Sequence, residues 1–229
     1  MANRKSLSRE IDRANAALSA GRVIPAEESA KLTAWLLERQ VETGRNAGAF
    51  APTAAELQLG IRLYTGEAVR TKIATWNVLT AEAARLLVLL SGGAGDPDVQ
   101  VRAAIERARS WLDVSCFVTR DCVIGECAHS LASHLRLMSA CDETPALLVR
   151  RVNILRQHRD GKGRWRRFPF YYTVMVLSET ICEAARSELR YAVPACQRVR
   201  TRRTEDETYG ARRRALLERV IVLDDLRLL

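Results

Sequence analysis

Cys116, Cys122, Cys127 and His129 stand in a Cys-x5-Cys-x4-Cys-x-His run, with His134 and Cys141 close behind. Thiolates and imidazoles ligate zinc when four of them converge on a tetrahedron. Cys122, Cys127 and His129 are therefore the candidate metal ligands, and zinc is the candidate cofactor. The spacing is not that of the usual two-residue zinc knuckle. If Cys127 and His129 share a helix they lie about 200° apart around it, which turns them away from a single ion. Cys127 and His134 would share a face, but two turns apart. Two other readings compete. A thiol at a helix start suits nucleophilic chemistry, with Cys127 as nucleophile and His129 as base, although no acid partner is evident. Alternatively, the cysteines are small hydrophobes of the core.

A second stretch with chemical content is DGKGRWRRFPFYYTVMVLSE, residues 160–179. Arg164, Arg166 and Arg167 carry the planar fork that grips phosphates and carboxylates. Trp165, Phe168, Phe170, Tyr171 and Tyr172 adjoin them. Arginines among aromatic faces are what single-stranded nucleic acid needs, but no helix-turn-helix, zinc-finger or RNA-binding signature accompanies them. The chain as a whole carries a net charge of +9, and Lys5, Lys31, Lys72 and Lys162 are the only lysines among its 36 basic residues. Nucleic acid or an acidic protein would suit that balance. A genome rich in arginine codons would produce it as well. The second basic run, 198–203, sits beside Glu205, Asp206 and Glu207, which offset it.

These residues need elements to hold them. The 229 residues suffice for one large domain or two small ones. Alanine, leucine and arginine dominate and aromatics are only 6%, a composition that favours helices. Helices are expected from Pro25 through Leu32, Trp35 and Leu36 to near Gly44, and from Thr53 through Leu57, Leu59, Ile61 and Leu63 to near Gly66. Thr53 and Glu56 have the spacing of a capping box. Further helices are expected over 69–90, from an Asp96-Pro97 start to 115, to 140, and from a Thr144-Pro145 start. The aromatic stretch then leads a helix to about 191, Pro194 breaks it, and 197–210 reads as loop. A last helix carries Leu216, Leu217, Val220 and Ile221. The fold class is all-α, built of stacked antiparallel hairpins. The expected organisation is an arm or short helix over 1–24, a hairpin domain over 25–192, and a basic loop with a final helix over 193–229.

No run of about eighteen apolar residues suggests a membrane span. The basic start lacks the apolar segment of a secretory signal, so the expected location is cytoplasmic, with the six cysteines as reduced thiols. The last helix is apolar enough to need a partner surface, either on its own fold or in a homodimer.

Three segments repeat. The first is Trp35-Leu36-x3-Gln40 with Gly48-Ala49-Phe50, and the second Trp111-Leu112-x3-Cys116 with Gly125-Glu126-Cys127. The third is Leu155-Arg156-Gln157 with Gly163-Arg164-Trp165. Each is a helix end, a polar loop, a Gly-x-bulky turn and a new helix. A glutamine at a helix end can bond free carbonyls, and a glycine permits the positive φ that ends a helix. Gln157-x5-Gly163-x-Trp165 resembles the glutamine-tryptophan repeat of squalene and hopene cyclases. Trp35-Leu36-x3-Gln40 is similar to its front half, and related hairpins build the β subunits of protein prenyltransferases. The resemblance covers about 25–191. It implies an α/α toroid, inner and outer helices around an apolar cavity, here as a partial ring of three to four hairpins.

The cyclases' Asp-x-Asp-Asp motif is absent, and Asp121-Cys122 lacks the intervening residue of the prenyltransferase zinc pair, so the resemblance supplies no catalytic residue. It implies instead a ligand. Stacked repeats would gather the helix starts after Phe50, Cys127 and Trp165 at one end, bringing together Glu56, His129, Trp165, Phe168, Phe170, Tyr171 and Tyr172. Free helix amides and an aromatic wall would suit an apolar or isoprenoid small molecule with a diphosphate-like head.

Overall fold

The longest apolar run forms a single helix, α4 (Lys72–Ser91), and the other elements are arranged around it. The Thr71 hydroxyl accepts from the Ala74 amide and caps its start. Apolar residues surround the helix on all sides, as in a helix meant for the interior. By length and composition alone α4 is fit to cross a membrane, yet 72% of its apolar window is buried by the rest of the fold. That is the setting of a core helix.

The computed structural model describes residues 5–92, 98–141, 143–200, 207–226 and 228. Before α4 come α1 (Leu7–Ser19), α2 (Ala26–Glu38), α3 (Ala54–Leu59) and a ribbon of β1 (Ile61–Arg62) and β2 (Ala68–Val69). After it come α5 (Val99–Asp113), α6 (Cys116–Thr119), α7 (Cys127–Ala140), α8 (Pro145–Gln157), α9 (Phe170–Glu179), α10 (Glu183–Val199) and α11 (Glu207–Asp225). The all-α class is as expected. The ribbon is antiparallel and pairs Ile61 with Val69 and Arg62 with Ala68.

The helices fall into two layers. α4 packs along α7 and α7 along α9, forming an inner file. α5 lies against α4, α8 against α7 and α10 against α9, with α2 meeting α5 and α8 meeting α10. Inner helices bury most of their residues, whereas the outer helices α5, α8 and α10 bury one stripe. α1 joins the inner side and buries Leu7, Ile11 and Ala14 in the common core. α11 buries Leu216, Leu217, Val220 and Ile221 and packs on α9 and α10, so its apolar face is covered within the chain.

Two of the three repeated turns have one geometry. Gln40 bridges Phe50 and Arg159 bridges Trp165 as isolated antiparallel pairs. In the first, the Val41 amide donates to Ala49 O at 2.8 Å and the Ala51 amide to Arg39 O at 2.9 Å. In the third, Asp160 donates to Arg164 O at 2.9 Å and Arg166 to His158 O at 2.8 Å. Gly48 (φ +95) and Gly163 (φ +85) let each turn press on the next outer helix. A Cβ on Gly48 would meet Arg107 O of α5 at 2.6 Å, and one on Gly163 would meet the Ala195 Cβ of α10 at 2.9 Å. Gln40 donates to Gly48 O and to Ala104 O of α5, both at 2.8 Å.

Several boundaries differ from expectation. The helix from Thr53 does form its capping box, but it stops at Leu59. Gly60 (φ +76) turns the chain so that its α-carbon lies against Val69 O, where a Cβ would come within 2.4 Å. Ile61 and Leu63 therefore belong to the ribbon segment. The single helix expected up to 191 is two, because Thr180 is extended and its hydroxyl donates to Val176 O at 2.8 Å. Pro194 does not break α10. It sits on the exposed side, where the missing N–H costs one ladder bond without a buried gap. Residues 197–199 accordingly belong to α10 rather than to a loop. Asp98 caps α5, and the expected Asp96-Pro97 start lies outside the described residues.

Candidate functional site

Charged side chains meet at the centre of the inner file. Arg136 of α7 donates to both Glu82 oxygens, at 3.0 and 2.8 Å, and to both Glu179 oxygens, at 2.7 and 2.9 Å. Arg85 donates to Glu179 at 3.1 Å and to Asn15 Oδ1 at 3.0 Å, and Asn15 returns a bond to Glu82 at 3.2 Å. The Tyr172 hydroxyl also donates to Glu82. Two guanidiniums and two carboxylates balance, and all but Glu179 are buried. Burial works to raise the Glu82 carboxyl, but Arg136 and Arg85 outweigh it and hold the group below its ordinary range. At Glu179 burial again opposes, and the same two arginines bring the carboxyl down to about 2.

The cluster borders a cavity of about 670 Å³ between α1, α4, α7, α9 and α11. Arg85, Arg136, Arg212 and Arg219 line it against a single lining carboxylate, Glu179. Leu18, Met175 and Leu216 supply aliphatic wall. Arg212 is held by Asp12, at 2.6 and 2.8 Å, and lies over the Tyr64 ring at 4.2 Å. Arg219 is exposed and donates to Ser178 Oγ at 3.0 Å. The volume is in the range of small-molecule sites, and the Arg219 guanidinium on its wall, bonded to a neutral hydroxyl, favours an anionic group.

The residues expected to line the ligand site lie elsewhere. None of Glu56, His129, Trp165, Phe168, Phe170, Tyr171 and Tyr172 lines this cavity. Trp165, Phe168 and Phe170 are buried in the turn that leads into α9. Trp165 Nε1 donates to Glu188 at 2.9 Å, and Glu188 also accepts from Arg156 and Arg159. Arg164 stacks over Phe170 at 4.6 Å and Arg213 over Tyr171 at 4.4 Å. Arg166 and Arg167 are exposed. Tyr172 alone touches the central cluster, through Glu82.

Glutamates from elsewhere in the chain take the amides at several helix starts. Glu56 accepts from the Ser8 amide at 2.7 Å and from Ser6 Oγ at 2.8 Å, fastening α1. Glu126 accepts from the amides of Arg70 and Thr71, both at 2.7 Å, ahead of α4. Glu67 accepts from the amides of Tyr171 and Tyr172, at 2.8 and 3.1 Å, in the first turn of α9. Of the three helix starts expected to receive an anion, that of α9 is taken by the chain's own Glu67, while Glu56 and Glu126 close the starts of α1 and α4.

The thiols also converge, in a different set from the one expected. The sulfurs of Cys116, Cys122 and Cys127 all lie within 4.8 Å of one another, and this group can hold a metal ion. Cys116 and Cys127 Sγ are 3.6 Å apart. The nearby Ile124 amide draws the Cys122 thiol down, while burial pushes Cys127 up to about 12. His129 is not part of the group. It is largely buried, its Nδ1 has no hydrogen-bond partner among the described residues, and burial lowers its pKa in spite of nearby Glu126 and Glu67. Two residues along a helix put its ring on another face from Cys127.

Sequence reasoning missed Glu82, Arg85, Arg136 and Glu179. The signal was present: charges embedded in otherwise apolar helices are costly unless paired. In comparisons with protein families, curated proteins and solved structures, nothing matches this chain.

Proposed function

We propose that the protein binds a small amphipathic anion, of the isoprenoid diphosphate or carboxylate class, in the cavity between α1, α4, α7, α9 and α11. The observation that carries this reading is the cavity of about 670 Å³ lined by four arginines, one glutamate and aliphatic side chains. Arg85 and Arg136 are balanced by Glu82 and Glu179, and Arg212 is held by Asp12, so Arg219, which donates to the neutral Ser178 hydroxyl, is the group that meets the anionic head, and Leu18, Met175 and Leu216 receive the apolar tail. The two-layer order of helices supports the toroid-like arrangement, in which the ligand sits on the concave inner side. Binding is the claim; no step of chemistry is assigned.

Calorimetric titration with farnesyl diphosphate, farnesol and inorganic diphosphate tests it. The diphosphate ester should bind more tightly than either fragment, because only it uses both surfaces. Arg219→Ala should weaken that binding by about tenfold, near 1.4 kcal/mol, without lowering stability, since Arg219 is exposed. No heat from any of the three, or equal binding by the variant, removes this reading. Binding of a single-stranded oligonucleotide that weakens steeply with salt, with no response to farnesyl diphosphate, would put the arginine surface around Arg166 and Arg167 in its place.

A further inference from the structure

The second repeat departs from its two siblings at the positions that matter most to them. The first turn is closed by the Gln40–Phe50 bridge and the third by the Arg159–Trp165 bridge. Both press a glycine onto the next outer helix. In the second repeat Cys116 stands where Gln40 stands and Cys127 where Phe50 stands. Its glycine, Gly125 (φ +56), would present a Cβ to open space. Arg151 of α8 does reach this loop, donating to Asp121 at 2.9 Å and to Val118 O at 3.3 Å. The loop's own ends, however, meet through sulfur, with Cys116 Sγ 3.6 Å from Cys127 Sγ and Cys122 Sγ beside both.

We propose that Cys116, Cys122 and Cys127 form a three-thiolate site for a divalent ion of the zinc class, with the fourth coordination position open to solvent. Four thiolates at about 2.3 Å from zinc lie about 3.8 Å apart along the edges of the tetrahedron. The observed spacing needs only small side-chain shifts to reach that geometry. Cys116 is exposed and the other two are half-buried, so an ion can enter from solvent, and water or an outside ligand completes the shell. As the three sulfur–metal bonds form, the three thiols give up their protons to solvent. The ion then ties α6 to the start of α7, which the hydrogen-bonded bridge does in the other two turns.

The test begins with protein made in zinc-supplemented medium and dialysed under reductant against metal-free buffer, with metal measured by plasma mass spectrometry. About one zinc per chain is expected. Cys122→Ser should retain less than about one-tenth of that, and Cys141→Ser, outside the cluster, should retain all of it. If the serine variants fold poorly, cobalt(II) added to the stripped wild-type protein answers the same question, because thiolate ligation produces sulfur-to-cobalt charge-transfer absorption. Wild-type protein without zinc and without that absorption overturns the proposal. So does a Cys116–Cys127 disulfide recovered from the protein as isolated.

Discussion

Arg136 and Glu179 are joined by two parallel hydrogen bonds, of 2.7 and 2.9 Å, across the seam between α7 and α9. The same guanidinium holds Glu82 of α4 through its remaining face. One side chain therefore ties all three inner helices. Replacing it with Arg136→Met leaves two carboxylates to share the single remaining counter-ion, Arg85, in a largely buried setting. A loss of about 3–5 kcal/mol is expected from urea unfolding. A loss below about 1 kcal/mol would mean that the ion cluster contributes little beyond its volume.

Acid should weaken the same seam. The Glu179 carboxyl falls from 4.5 to about 2 on folding, and Glu82 shifts in the same direction. A depressed carboxyl stabilises the fold fully above its unfolded value, and that contribution disappears as pH falls through the folded value. The urea midpoint should therefore drop as pH is lowered from about 4.5 towards 2. Glu179→Gln should be less stable at neutral pH and show a flatter acid limb. An unchanged limb would count against Glu179 as the group responsible.

Two glycines in one turn separate backbone strain from collision. Gly161 (φ +78) and Gly163 (φ +85) both take the left-handed conformation, but a Cβ at Gly161 meets nothing and one at Gly163 meets Ala195 and Tyr191. Gly161→Ala should cost about 1 kcal/mol from conformation alone. Gly163→Ala should cost about 1–3 kcal/mol more. Thermal melting of both variants compares them directly, and equal shifts would deny the close approach to α10.

Glu67 caps α9 from a distance, since its carboxylate takes the amides of Tyr171 and Tyr172. Glu67→Ala should lower stability by about 1–2 kcal/mol, the usual cost of losing a cap. Glu67→Gln keeps an acceptor oxygen and should recover part of that loss. Hydrogen exchange should localise the effect to the first turn of α9.

Much of the architecture was readable from local chemistry. Thr53 and Glu56 announced their own capping box, and Gly-x-bulky turns after helix ends announced the repeats. The ribbon was not readable, because Leu57, Leu59, Ile61 and Leu63 form an apolar series that continues a helix on paper. Only the positive φ at Gly60 ends it. Pro194 misled in the opposite way, since an exposed proline can be carried inside a helix that packs well on its other face. The cysteines read as a metal candidate in the sequence, but His129 stands nearer to Cys127 along the chain than does Cys116, which the fold brings beside Cys122 and Cys127. Sequence distance favours the nearer residue, and the short helix α6 brings the farther one back. The charged residues around the cavity between α1, α4, α7, α9 and α11 are hard to notice for a related reason. Aromatics after a turn attract notice, while a lone arginine within LASHLRLMSA does not, although its pairing could only be with acids on helices distant in sequence.

The caps on the inner helices come from far along the chain. Glu56 reaches back 48 residues to Ser8, Glu126 reaches back 55 to Thr71, and Glu67 waits for Tyr171, 104 residues ahead. Such distant closures make for slow, late folding, because each long loop must lose its freedom before the contact that rewards it can form. On the ribosome, α4 would emerge with its apolar sides bare and the Arg70 and Thr71 amides just ahead of it unanswered until Glu126 had been made. A fragment ending before α7 should therefore be a client for chaperones, and the order of synthesis itself sets a period of vulnerability that the finished fold no longer shows.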